Sequence, residues 1–376
     1  MNLVVPLTIS PGTSPSTSPE SQPAVVGVRN GHRRLWRPVA LVLVLLVAAA
    51  GCSIRPLPTG YGQTTTAAVT DNGDGSADLG FDPRDIQPVV SNPEPVLPVT
   101  VHSADGPEVT VTSIDRIIAV NLSGSLAEIV FTLGLGDHVV GRDISSTFYA
   151  AEHLPVVTQG HDLATEPILA LNPTLILVDG SVGPPEVIDQ IRAAGVAVVV
   201  IDEAWSLDGI APRISAVATA LGVPGVGMQL NARTEKQVSA ALASAPKDHE
   251  KLRVAFLYVR GTAGVYLIAG DGSGADSMIE AIGAEDAGTA IGLKKFRPLT
   301  SEGLINAAPD VILVMNEGLT SVGGIDGLLK LPGVAQTPAG ANRRVVAMDD
   351  SALLSFGPRT GEMVQALARA VYRTGT

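Results

Sequence analysis

From residue 114 onward, short apolar runs alternate with longer segments whose apolar residues recur every three or four positions. Residues 117–120, 139–140, 175–178 and 196–201 are runs of the first kind and read as buried strands. Between them, 125–133 reads as a helix that starts near Ser123 and is stopped by Gly134 and Gly136. A second helix, 185–194, opens with proline in its first turn and closes on Gly195. The span 207–221 is again helical, and 226–245 is a longer helical pattern richer in charge. The alternation then restarts: strands at 254–257, 265–268, 311–315 and 344–347, helices at 275–282, 301–307 and 360–372. Strands and helices alternating at this spacing imply parallel sheets covered by helices. The expected fold is therefore α/β, two lobes with central parallel sheets joined by a single long helix.

The first third of the chain has a different character. Residues 1–28 are rich in Ser, Pro and Thr without apolar period, a tail that is either disordered or not translated. Arg29, Arg33, Arg34 and Arg37 then precede an apolar run at 39–50. That run is well short of the roughly 20 residues of a membrane span and suits a signal peptide, here 29–52. It ends in Ala49-Ala50-Gly51-Cys52-Ser53, which resembles a bacterial lipobox and marks Cys52 for lipidation. The plain alternative is a cleaved secretory signal with an incidental cysteine. Residues 53–110 carry Pro, Gly, Thr, Asp and Asn and read as a flexible tether, with weak strands near 96–101 and 108–112. An N-terminal lobe at 111–223, a linking helix at 224–248 and a C-terminal lobe at 249–376 complete the division.

Composition narrows the function. The 376 residues suffice for two domains with full cores. A net charge of -12, with no basic tract beyond the N-terminus, argues against nucleic acid as a partner. Aromatic residues are 3%, too few for base-stacking platforms. Cys52 is the single cysteine, so neither an intrachain disulfide nor a cysteine zinc site is available.

The candidate chemistry lies at the end of the strand that opens the second half. Arg253 to Gly261 reads RVAFLYVRG, and side-chain alternation puts Tyr258 and Arg260 on one face roughly 7 Å apart. The C-terminal edge of a parallel sheet is where open α/β folds hold ligands. The plain alternative is a tyrosine closing the core beside a solvated arginine.

The stretch 114–372 resembles the substrate-binding proteins of ABC importers for iron-siderophores, cobalamin and haem. The resemblance is carried by Ser125-Leu126-Ala127-Glu128, Leu133 to Asp137, Val140-Gly141-Arg142-Asp143 and Glu166 to Ile176. A C-lobe counterpart runs from Ser301-Glu302-Gly303-Leu304 to Ala308-Pro309-Asp310-Val311-Ile312. Within that group the haem-binding branch fits best. It implies His161, in Gly160-His161-Asp162-Leu163, and Tyr258, followed by Arg260, as iron ligands from opposite lobes. The ligand implied is ferric haem b. Imidazole and phenolate are both axial ligands of haem iron. Adjacent Arg260 and the ferric ion each favour the anionic form of the phenol. The resemblance further implies Glu186 and Glu302 as docking glutamates for the permease, each otherwise an ordinary acidic residue at a helix start. It implies a monomer that works with a permease and an ATPase, lipid-anchored on the extracytoplasmic face of the cell membrane. Upstream haemoprotein receptors are a further partner class.

Other candidates are weaker. Gly270-Asp271-Gly272-Ser273-Gly274 opens a helix; Ser273 is either its N-cap or part of a nest of N–H groups for a haem propionate. Met315 is a core residue, or packs on the porphyrin as a spare ligand. His138, His153, His102 and His249 fall in turns, loops and surface contexts. Lys294, Lys295 and Arg297 form a basic patch that would serve a ferric-siderophore receptor, which with cobalamin binding is the alternative function. No G-x-S-x-G elbow occurs, and the chain is expected to perform no catalysis.

Overall fold

A computed structural model describes residues 79–245, 251–351 and 353–372. The tail at 1–28, the signal peptide at 29–52 with Cys52, and the first part of the 53–110 segment lie outside the described residues.

The N-terminal lobe is built on four parallel strands, in the order Val139–Arg142, Ile117–Val120, Leu175–Val178, Ala197–Val200. These strands are apolar on both faces because helices cover both faces. Ser125–Thr132 and Ile210–Ala220 pack with Ile117, Ala119, Leu175 and Leu177 on one side. Thr165–Ala170 and Pro185–Ala193 pack with Ile118, Val120 and Ile176 on the other.

The linking helix, Pro224–Ser244, has proline in its first turn, where a missing N–H costs nothing. It lies against Ile210–Ala220 of the first lobe and Thr360–Val371 of the second, so both lobes grip it. One cluster of buried side chains runs from Leu126 and Ile214 through Leu230 to Phe256 and Leu367, crossing from lobe to lobe.

The C-terminal lobe departs from a purely parallel sheet. Arg253–Arg260, Val311–Met315 and Val345–Met348 are parallel neighbours, as the apolar runs predict. Val265–Ala269, however, returns antiparallel to Arg253–Arg260 and pairs in turn with Phe296–Pro298. Only the turn Gly261–Ala263 and Gly264 separate the two strands. A parallel return needs a crossover of a dozen residues or more, so a hairpin is the only connection available.

Residues 79–110, placed in the tether by sequence, pack on the fold. Val99–His102 and Glu108–Val111 form an antiparallel hairpin. Ahead of it, Leu79, Phe81, Ile86, Val89 and Leu97 lie against the main core. This strap donates from Val89 N to Thr132 O (2.8 Å) and from Val96 N to Gly222 O (2.9 Å). Its carbonyls at Leu79, Pro83 and Gln87 accept from Arg369, Arg359 and Arg233. Gly134, where φ is +87°, is more than a helix stop: a Cβ there would lie 1.8 Å from Val90 O. The strap crosses at backbone contact.

Candidate functional site

Alternation along Arg253–Arg260 sends Val254 and Phe256 into the core shared by the lobes, and Tyr258 packs against that same cluster. Tyr258 and Arg260 therefore leave the sheet on its inter-lobe face, at its C-terminal edge. Tyr258 is half-buried and packs edge-on against Phe296, ring centroids 6.1 Å apart. Among the described residues its hydroxyl has no hydrogen-bond partner. The Arg260 guanidinium does not meet that hydroxyl. It lies over the ring, Cζ 4.6 Å from the centroid. Nη2 donates to Asp350 Oδ2 (2.9 Å) and lies 3.7 Å from Met315 Sδ, while Nη1 donates to Val259 O (2.9 Å). The other Asp350 oxygen accepts from Glu317 N (2.9 Å). Burial pushes the Asp350 carboxyl up; the Glu317 N–H and the Arg260 charge oppose it, and Glu317 and Asp349 add to it.

Gly261 follows because the chain has no room for a side chain. A Cβ there would lie 2.6 Å from Ser321 O and 2.8 Å from Val322 Cγ1.

His161 stands on the first lobe, at the turn of a small hairpin formed by Thr158–Gln159 and Asp162–Leu163. Gly160, at φ +61°, supplies the left-handed residue of that turn. The hairpin is bridged through Asp162 to Gly183, beyond the end of strand Leu175–Val178, and the segment leading into it is bridged through Val156 to Arg142, the last residue of strand Val139–Arg142. His161 is exposed, and its Nδ1 lies 2.9 Å from Ser181 O. A carbonyl only accepts, so Nδ1–H is the donor, and Nε2 is the ring nitrogen without a hydrogen-bond partner among the described residues. This is how a protein orients a histidine for a metal.

The carbonyl is itself held from below. Ser181 donates from N to Asp179 Oδ1 (3.0 Å), and its hydroxyl also bonds Asp179. Asp179 is buried and paired with buried Arg213. Ser181 Oγ accepts from Leu122 N (2.9 Å), and Thr158 Oγ1 accepts from Ile144 N (3.1 Å). Leu122 and Ile144 are thereby tied beside the His161 hairpin, exposed by 37% and 54%. Asp143, buried one residue before Ile144, accepts from Asn121 N (3.1 Å) and Ser146 N (2.7 Å). Burial pushes its carboxyl up to about 6, partly offset by those hydrogen bonds.

Tyr258, Arg260 and Met315 thus come together, and His161 stands at the corresponding edge of the other lobe. Ser273 does not join them. Because Val265–Ala269 runs antiparallel, its end lies level with Phe256 rather than at the ligand edge. Ser273 is buried, and the N–H groups of Gly272, Ser273 and Gly274 already bond Asp276 and Gly270 O. Neither an N-cap (Gly274 holds that position) nor a free anion nest is left there. Two of the three cations of the basic patch are also engaged: Lys294 pairs with Asp271 at 2.5 Å, and Lys295 donates to Gly272 O. Glu186 and Glu302 are exposed in the first turns of their helices, one per lobe. Asp350 and Ser181 carried no sequence signal beyond their places just past strand ends, and Asp143 entered only as the last residue of the Val140-Gly141-Arg142-Asp143 motif.

Two lobes of helix-covered sheet on one linking helix, with side chains gathered at the strand ends, define a substrate-binding protein rather than an enzyme. The chain belongs to the periplasmic binding protein family, whose profile matches residues 119–352. It is 28% identical over 283 residues to the uncharacterized ABC transporter substrate-binding lipoprotein YvrC of Bacillus subtilis, covering 74% of this chain and 86% of that one. A cobalamin-binding protein of Halobacterium salinarum is 27% identical, covering 74% and 75%. Among solved structures, the heme binding protein HmuT superposes with TM-score 0.75 and 42% identity over 78% of this chain and 96% of that one. HmuT has also been solved with alanine in place of one histidine, one tyrosine and one arginine. The heme-binding protein RhuT of Roseiflexus sp. RS-1 gives 0.65 and 46%, over 69% and 98%.

Proposed function

We propose that this protein captures ferric haem b outside the membrane and delivers it to an ABC importer, with His161 and Tyr258 as iron ligands from opposite lobes. The observation that carries the reading is the pair of strand edges. One bears an imidazole with Nε2 left open by a carbonyl bond to Nδ1; the other bears a phenol with an open hydroxyl. Two axial ligands complete the coordination of iron that arrives with four porphyrin nitrogens. Exposed Leu122 and Ile144 beside His161, and Phe296 beside Tyr258, supply apolar surface for the macrocycle. Met315, 7% exposed and touching Arg260, backs the tyrosine rather than offering its sulfur outward. The histidine, tyrosine and arginine substituted in HmuT support the assignment, since that tyrosine and arginine are two positions apart, as Tyr258 and Arg260 are.

Purified protein titrated with hemin should develop a Soret band and a phenolate-to-iron charge-transfer band. His161→Ala and Tyr258→Phe should each alter the spectrum. No spectral change with the wild type would sink the haem reading; unchanged variants would sink only the named ligands. The cobalamin-binding relatives make cobalamin the competitor to include in the same titration.

Delivery is assigned to Glu186 and Glu302, which present a carboxylate from each lobe to a permease coupled to its ATPase. Reversing both to lysine should abolish haem uptake by cells while hemin binding stays unchanged; uptake at the wild-type rate would refute the docking role. Anchoring on the outer face is assigned to Cys52, and the relationship to YvrC, named a lipoprotein, supports it. Intact-mass measurement of the membrane-bound protein should show Cys52 acylated at the mature N-terminus; an unmodified cysteine there would remove the anchor.

A further inference from the structure

The glycine-rich run 270–274 offers no anion nest, but its glycines make room for a side chain of the other lobe. In the N-terminal lobe, the chain leaving strand Ala197–Val200 runs to the turn Leu207–Gly209. Ala204 is buried there and Gly209 closes on it, a Cβ at Gly209 lying 3.0 Å from Ala204 Cβ. Trp205, the next residue, is 39% exposed, and what it meets belongs to the C-terminal lobe. A Cβ on Gly274, where φ is +90°, would lie 3.5 Å from Trp205 Cε3 and 2.9 Å from Cε2 of buried Phe356. Lys295 Nζ stands over the indole, 5.5 Å from its centroid. That lysine is fixed in a left-handed conformation, φ +56°. Its N–H donates to Asp271 O (2.8 Å), its carbonyl accepts from Gly270 N (2.9 Å), and Nζ donates to Gly272 O (2.7 Å). Two residues past Trp205, Leu207 N donates to Ser277 Oγ (3.2 Å) in the first turn of helix Ala275–Ala281.

We propose, resting on the reading of His161 and Tyr258 as ligands from opposite lobes, that Trp205 is a positioning residue. Seated on Gly274 and Lys295, it latches the lobes at the spacing that lets both ligands reach one iron. The cation over the ring and the Leu207–Ser277 bond both act across the lobe boundary. The seat is rigid, since Lys295 is held by three bonds within its own loop. It also adjoins the site, because Lys295 precedes Phe296, whose ring packs on Tyr258. The latch differs from the contact of Glu128 with Arg359, which is buried beside the linking helix, where a Cβ on Gly361 would meet Gln237. Contacts that water reaches open locally while buried ones hold. Opening at Trp205 draws one ligand away from the iron and lets haem leave.

The test is the rate of hemin loss to excess apomyoglobin from Trp205→Ala, Trp205→Phe, Ser277→Ala and the Trp205→Ala/Ser277→Ala double variant. Trp205→Ala should lose hemin about tenfold faster, with Soret and charge-transfer bands unchanged because the ligands are the same. Trp205→Phe, which keeps a ring on the seat, should recover part of that loss. Ser277→Ala removes only the bond from Leu207 and should also speed release; added to Trp205→Ala it should do nothing more. Release at the wild-type rate from Trp205→Ala overturns the proposal. So does wild-type release from Ser277→Ala while Trp205→Ala is fast, which would make the indole a direct contact of the ligand. A second readout needs no hemin. In Trp36→Phe protein Trp205 is the one tryptophan, and adding Ser277→Ala should open its fluorescence to quenching by acrylamide; unchanged quenching overturns the latch. A wild type that gives no Soret band fails at the haem reading instead, and the acrylamide measurement still judges the latch.

Discussion

Breaking the contact of Arg359 with Glu128 should cost the fold heavily. The pair joins the first helix of the N-terminal lobe to the start of the last helix of the C-terminal lobe. The geometry is bidentate: Nε to Oε1 and Nη2 to Oε2, each 3.0 Å, with Arg359 N also donating to Oε1 at 3.2 Å. Side-chain exposure is 3% for Glu128 and 14% for Arg359, so neither charge has much access to water. Arg359→Ala leaves the Glu128 carboxylate buried without its cation. Breaking a buried pair from one side costs about 3–5 kcal/mol, against 0–1 for an exposed pair. For a chain of this order that lowers the melting temperature by roughly 10 °C. Urea unfolding followed by circular dichroism measures it. Replacing both partners, Glu128→Leu with Arg359→Met, should recover most of the loss, because the penalty lies in the abandoned charge rather than in the missing attraction. A loss below about 1 kcal/mol in Arg359→Ala would show that water reaches Glu128 and would refute the reasoning.

Two further outcomes follow from the site. Asp143, with its carboxyl pushed up to about 6, holds a proton in the native state that the unfolded chain has already lost between about pH 4 and 6. Its contribution therefore falls as pH rises through that window, by about 3 kcal/mol. Asp143→Asn should gain on the wild type by that amount across the same window, read from urea midpoints; a pH-independent difference would count against the buried charge. Gly261→Ala places a Cβ against Ser321 O and Val322, where backbone must shift, and should cost about 1–3 kcal/mol. Because Gly261 N also donates to Ser321 Oγ at 2.8 Å, hemin affinity should fall with stability; loss of neither would show slack at the strand end.

Elements with a strong apolar period were legible in the sequence. The linking helix, the parallel strands of both lobes and the final helix Thr360–Val371 all announce themselves by runs or by three-to-four spacing. The turn back of Val265–Ala269 was legible in principle, since its short connector leaves no crossover. Expecting the usual β-to-α alternation there misplaced Ser273. The strap at 79–98 was hidden because its apolar residues are isolated among prolines and follow no period; they pack one at a time. At the site, alternation put Tyr258 and Arg260 on one face, and the resemblance to haem-binding proteins made them ligand candidates. Asp350 was not, because Asp349-Asp350 reads as a solvated turn and its partner lies 90 positions earlier. Glu128 and Arg359, 231 positions apart, have no local signature at all.

The strap also has a mechanical meaning. From Leu79 onward the strap meets the folded body at Arg369 on the last helix, then at Arg359, Arg233, Thr132 and Gly222 in succession. A pull from upstream is therefore taken up in shear across both lobes and the helix between them, with several hydrogen bonds sharing the load. Neither strand that carries Tyr258 nor the hairpin that carries His161 lies on that line of contacts. Tugging on the upstream chain would load that line of contacts and leave the edges that carry Tyr258 and His161 undisturbed.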